Sequence, residues 1–220
     1  MDIQKSIKTH TNHYPRLGSL VWISSIQYFI VQIVVAMGWA NSYSLAHNTI
    51  SDLGNTACGV YGQMFVCSPQ HGLMNASFIW LGIAQASGAV LFYLKSKKSS
   101  GLLIGFSCVA AAGIGTLFVG LFPENTIATL HVIGAGLPFF IGNVGLIVLS
   151  IALTISRGMR IYTFVSGAVA LLALVLFLTH HYLGIGNGGM ERITAYPQTV
   201  WLIVYGTFHL WQQYKSQKIN

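Results

Sequence analysis

The sequence predicts an all-α integral membrane protein, a bundle of six transmembrane helices with both termini in the cytoplasm. Three observations predict it. Of the 220 residues, 54% are hydrophobic and only 7% charged, whereas a soluble domain is about a quarter charged. Apolar stretches of roughly 20 residues, enough to cross a bilayer, recur along the whole length. Finally, the eleven Lys and Arg residues fall in short clusters between these stretches. The net charge of +7 therefore reads as topology signals and not as a nucleic-acid-binding face.

The first span is predicted at residues 17–40, after a basic start carrying Lys5, Lys8 and Arg16. That apolar run is too long for the core of a signal peptide. Residues 41–70 form the longest polar connection. The second span, 73–94, ends in Lys95, Lys97 and Lys98; the third, 102–122, is closed by Pro123-Glu124-Asn125. The fourth, 127–155, contains Pro138, which is expected to kink it. The fifth, 161–183, ends at His180-His181 and leads into the glycine-rich turn 184–189. Too little apolar sequence follows Pro197 to cross a bilayer, so the sixth span is placed at 190–211 with Glu191 and Arg192 drawn into its end.

Counting cations by side gives ten on one face (Lys5, Lys8, Arg16, Lys95, Lys97, Lys98, Arg157, Arg160, Lys215 and Lys218) and Arg192 alone on the other. The positive-inside rule then orients the chain, with three hairpins opening outward from the plasma (inner) membrane toward the periplasm or exterior. Residues 1–220 read as one transmembrane domain. Glycines such as Gly113, Gly115 and Gly134 are expected to serve close helix packing.

Polar groups gather on the outward side. Each outward hairpin carries one acid, Asp52, Glu124 and Glu191 in turn, and each brings histidine: His47 and His71, then His131, then His180 and His181. Ionisable groups at membrane depth are expensive and mark a candidate site. Loop hydration and helix-end charge compensation are the bland alternative.

Three chemistries fit. His47, His131, His180 and His181 with a carboxylate are a zinc-type donor set, although no H-E-x-x-H or H-x-x-x-H spacing is present and His180 and His181 point about 100° apart on a helix. Metal-free acid–base work would use Asp52, Glu124, His131 and Glu191. Ion or proton movement would use the same carboxylates. Ser51 reads as a helix cap or as a nucleophile beside Asp52. Arg192 and the amides of the glycine-rich turn would hold an anionic group, with Tyr196 lining the site. Cys58 and Cys67 share the outer loop, where a disulfide would brace it. Cys108 sits in an apolar run as a packing residue.

Three stretches, HNTISDLGN after the first span, GLFPEN with His131 downstream, and GGMERITAYPQTVW leading into the last, resemble the bacterial and archaeal membrane family called domain of unknown function 998. The resemblance covers essentially the whole chain and implies six spans without implying an activity. Ser51, Asp52, His131 and His180 or His181 are also similar in type to the residues of CREST-type membrane hydrolases such as alkaline ceramidases, which hold zinc. Those enzymes have seven spans and an H-x-x-x-H pair, and this chain has neither.

The reading expected from the sequence is a membrane enzyme with an outward-facing site, acting by hydrolysis or transfer on a lipid or lipid-like amphiphile, with zinc as the candidate cofactor and membrane lipids as partners. A small transporter or ion-coupled permease is the alternative class, and a non-catalytic lipid-binding protein a further one.

Overall fold

A computed structural model describes residues 16–40, 42–62 and 64–219. Lys5 and Lys8, counted above as cytoplasmic charges, lie outside them. Six long helices run through the chain: α1 Arg16–Met37, α2 His71–Lys95, α3 Ser100–Leu121, α4 Ala128–Ala152, α5 Arg157–Leu178 and α6 Gly186–Ile219. The first five are long and apolar enough to cross a bilayer, and the 34 residues of α6 are long enough at about 1.5 Å each. The chain is an all-α integral membrane protein.

Local sequence sets several of the boundaries. Ser99 and Ser156 cap α3 and α5, their hydroxyls accepting from the amides of Leu102 and Met159, which are among the donors a helix start leaves unpaired. The predicted fifth span overreaches: α5 stops at Leu178 because His180 and Leu183 take left-handed backbone, φ 58° and 50°. Hydropathy follows apolar character, and Leu183 is apolar without being helical. The sixth helix starts earlier than expected, at Gly186.

Pro138 does not break α4. The helix widens into a π turn over Leu137–Gly142, and the Asn143 side-chain amide donates to the Pro138 and Phe139 carbonyls at 3.3 and 3.0 Å. The missing proline N–H frees a carbonyl one turn earlier, and the Asn143 amide serves two carbonyls within the widened turn itself.

Successive helices run antiparallel and pack closely. A Cβ on Gly82 of α2 would stand 2.5 Å from the Gly113 carbonyl of α3, and one on Gly115 would stand 2.4 Å from the Gly134 carbonyl of α4. Only glycine permits backbones that near, which is how apolar helices associate when lipid gives them no hydrophobic reason to. The lipid-side surface stays apolar, with Ile33 and Leu172 more than half exposed.

Alternation sorts the charges. Lys95, Lys97, Lys98, Arg157, Arg160, Lys215 and Lys218 fall at the end where α1 begins and α6 finishes; Asp52, Glu124 and Glu191 fall at the opposite, loop end. Within the basic half, Trp22 packs against Phe92, Trp201 and Tyr205 with ring centroids 4.5, 5.3 and 5.6 Å away. At the loop end a hairpin, β1 Cys58–Tyr61 with β2 Met64–Cys67, pairs Cys58 opposite Cys67, and a disulfide joins them. By loop entropy a ring this small is worth about 2–3 kcal/mol.

Candidate functional site

The site is built on the loop between α1 and the hairpin. Thr49-Ile50-Ser51-Asp52 forms a reciprocal cap. The Asp52 amide donates to Thr49 Oγ1 at 3.0 Å, and the Thr49 amide donates to Asp52 Oδ2 at 2.9 Å. Asn48 Nδ2 adds a second contact to that carboxylate oxygen at 3.2 Å. This is a capping box with Asp in the acidic place, and it starts the short turn Ser51–Gly54. Thr49, not Ser51, supplies the capping hydroxyl. That leaves Ser51 free to point elsewhere.

It points at His131. Ser51 Oγ lies 3.0 Å from His131 Nε2, and His131 Nδ1 lies 2.9 Å from the Phe122 carbonyl. A carbonyl only accepts, so Nδ1 carries the proton, and in the neutral ring Nε2 is the acceptor for the Ser51 hydroxyl. On the other side of Ser51, Glu191 Oε1 is 3.5 Å from the hydroxyl, while its Oε2 accepts from the Ile50 amide at 2.5 Å. His131 and Glu191 are buried and Ser51 is half-buried.

The α3–α4 connection closes the third side. Asn55 Nδ2 donates to Glu124 Oε1 at 2.9 Å, and the Tyr61 hydroxyl donates to the Glu124 carbonyl at 3.0 Å. Thr56 and Asn125 exchange two further bonds, 3.0 and 2.9 Å long. The Glu124 carboxyl also meets that of Asp52, and its pKa is pushed up to about 8, first by burial and then by the Asp52 charge. Near neutral pH it holds a proton, and that O–H is directed at the Asp52 carboxylate.

A stability test follows from that shift. The folded protein keeps the Glu124 proton up to about 8, whereas the unfolded chain releases it near 4.5. Stability is therefore lost as pH rises through that window. The melting temperature in detergent is expected to fall between those values, and Glu124→Gln to flatten the fall. An unchanged slope in the variant would remove Glu124 as its source.

Ser51, Glu124, His131 and Glu191 line one end of a cleft of about 410 Å³. Beneath Ser51 and Glu191 a second, small space of about 40 Å³ reaches Gln85, Thr116 and Gln198, room for water beside these polar side chains. Gln85 Nε2 donates to Gln198 Oε1 at 3.0 Å there.

Several residues expected at the site are used otherwise. Arg192 does not face the cleft. Its Nη1 donates to the Leu45, Asn48 and Gly188 carbonyls at 3.0, 2.8 and 2.8 Å, and its Nη2 donates to the Tyr43 hydroxyl. The guanidinium staples the loop to α6. Burial raises the Tyr43 pKa, and this phenol donates a hydrogen bond to the Thr49 carbonyl at 2.8 Å.

Two amides of the glycine-rich turn are likewise engaged, those of Gly188 and Gly189 donating to the Ala46 carbonyl at 2.9 and 3.3 Å. Tyr196 donates to Gln32 Oε1 at 2.7 Å and packs edge-on against Phe29, on another face of α6. The zinc set does not assemble. His47, His180 and His181 are exposed, His180 Nδ1 sits 2.7 Å from the Tyr182 hydroxyl, and both nitrogens of His131 are occupied. Among the described residues no three of His, Cys, Asp or Glu are grouped to hold a metal.

Sequence reading missed Thr49, Asn55 and Tyr61. The T-x-x-D spacing could have found the first. Nothing in the chain announced that Asn55 would reach Glu124, 69 residues away.

Fold and site together define a polytopic helical membrane protein with a polar, partly buried cluster at one end of its bundle. The chain belongs to the family described as protein of unknown function (DUF998), whose model matches residues 23–207. No curated protein and no solved structure matches it.

Proposed function

We propose that the protein is a serine-nucleophile acyl hydrolase or transferase working at the outward face of the plasma (inner) membrane on a lipid or lipid-like amphiphile. One observation carries the reading: a hydroxyl 3.0 Å from an imidazole nitrogen whose ring is oriented by a carbonyl on its far side. That is the relation a nucleophile, its base and the base's orienter require. The outward placement rests on the ten-to-one distribution of cations and the positive-inside rule.

In the first step Ser51 Oγ bonds to the substrate carbonyl carbon and its proton passes to His131 Nε2. The carbon–oxygen bond to the leaving alcohol breaks, and His131 returns the proton to it. Water, or a second alcohol in a transfer, then gives a proton to His131 and attacks the acyl–Ser51 ester. That bond breaks, and Ser51 recovers its proton. Glu191 fixes the turn through the Ile50 amide and stands close to the hydroxyl.

Against a permease stands the filling of the basic half by Trp22 and its aromatic neighbours, directly past the Gln85–Gln198 pair. The test is covalent labelling with a fluorophosphonate, which reacts with activated serines. Ser51 is expected to carry the label, located by mass spectrometry of the digested protein. Folded wild-type protein that stays unlabelled at Ser51 would overturn the proposal.

A further inference from the structure

We infer that the cleft is the seat of a single acyl chain that enters sideways from the outer leaflet between α4 and α5, so that the substrate is a carboxylic ester of one long chain. The inference rests on the serine-nucleophile reading and adds to it the route, the chain and the kind of bond.

The two helices pack together through Asn143–Ala152 of α4, where a Cβ on Gly167 would lie 2.7 Å from the Asn143 carbonyl, and they part over Ala128–Gly136. The π turn lies where they begin to separate. The cleft fills that gap. Its inner end is Ser51 and His131; its walls are apolar, with Phe139 and Phe177 inside. Val132 and Leu178 at its lip are 67% and 66% exposed on the lipid side. A groove that begins at a nucleophile and opens onto hydrocarbon suits a molecule with a reactive carbonyl at one end of a chain. About 410 Å³ lies toward the small end of the range for ligand pockets, the size of one chain and not of a whole two-chain lipid.

Gly136 points the same way. Gly134 is needed for packing, since its Cβ would stand 2.9 Å from the Gly115 carbonyl, but a Cβ on Gly136 would meet nothing within 4 Å. Two residues apart on a helix, the positions differ by about 200° in direction. Gly136 lines the cleft, and its missing side chain leaves the passage open.

The bond is assigned from charge. The described residues lining the cleft include two carboxyls and no Lys or Arg, and Arg192 is spent on carbonyls. A phosphoryl centre would bring negative charge to a wall without a cation; an acyl carbonyl brings none.

The experiment uses the full-length protein in detergent with nitrophenyl esters from acetyl to palmitoyl, and a nitrophenyl phosphodiester beside them. The wild type is expected to favour the long chain over the short in kcat/KM by at least tenfold. Gly136→Phe is expected to lower that ratio at least tenfold. Val132→Trp, at the exposed lip, is expected to lower it in the same direction and covers the case in which the first variant fails to fold. Esters cleaved without chain preference, or a ratio within twofold of wild type in both variants, would sink the inference and leave the serine reading standing. Cleavage of the phosphodiester in preference to the esters would overturn the bond assignment. Cleavage of no ester, with Ser51 unlabelled, would sink both.

Discussion

Ser51→Ala is expected to lower ester turnover by about 10³-fold or more in kcat/KM, with little change in the melting temperature. The Ser51 hydroxyl makes no bond that holds the turn. The cap belongs to Thr49 and Asp52, and the Ile50 amide is held by Glu191. Removing one oxygen beside His131 therefore deletes chemistry and leaves the scaffold. His131→Ala should cost a similar factor, and the double variant no more than either single one, because a nucleophile and its base act as a unit. Additive losses, or unimpaired turnover in Ser51→Ala, would move the activity to another residue. A lipid-binding protein without catalysis would show no turnover in any form.

Arg192→Met is expected to destabilise the protein by about 3–5 kcal/mol, seen as an early melt in detergent and as proteolysis within residues 42–57. A buried acceptor left without its donor costs about 1–3 kcal/mol, and Arg192 serves the carbonyls of Leu45, Asn48 and Gly188 together with the Tyr43 hydroxyl. Arg192→Lys should rescue little, since a single ammonium cannot reproduce the planar fork. A residue that only oriented an anionic substrate would behave differently, raising KM with the melting temperature unchanged. That result would restore Arg192 to the binding site. The loop it fastens carries Ser51, so activity is expected to fall along with stability.

How much could be read in advance differs between fold and site. The helix near 102–122 was legible because lipid solvation acts on every residue of a span, and composition averages over it. The end of α5 was less legible, because the left-handed backbone at His180 and Leu183 leaves no mark on hydropathy. In the site, the stretch HNTISDLGN stood out as a polar run beside an apolar helix. Its members then divided by geometry. Asp52 turned inward to the Thr49 cap and the Glu124 carboxyl, His47 turned outward, and Ser51 turned to His131. Neighbouring residues in a turn differ in direction, and one string of letters does not record which way each one faces.

By itself the sequence determined the membrane class, the order of six helices and the gathering of Asp52, Glu124 and Glu191 at one end, since each depends on runs of residue type and on the alternation of antiparallel spans. Tertiary structure alone decided that Ser51 would meet His131 across 80 residues and Glu191 across 140, and that Arg192 would serve backbone carbonyls. Those pairings depend on the rotation of each helix about its axis and on the path of a loop between them. Both are set by packing contacts such as those of Gly115 on Gly134, which no local stretch of chain contains.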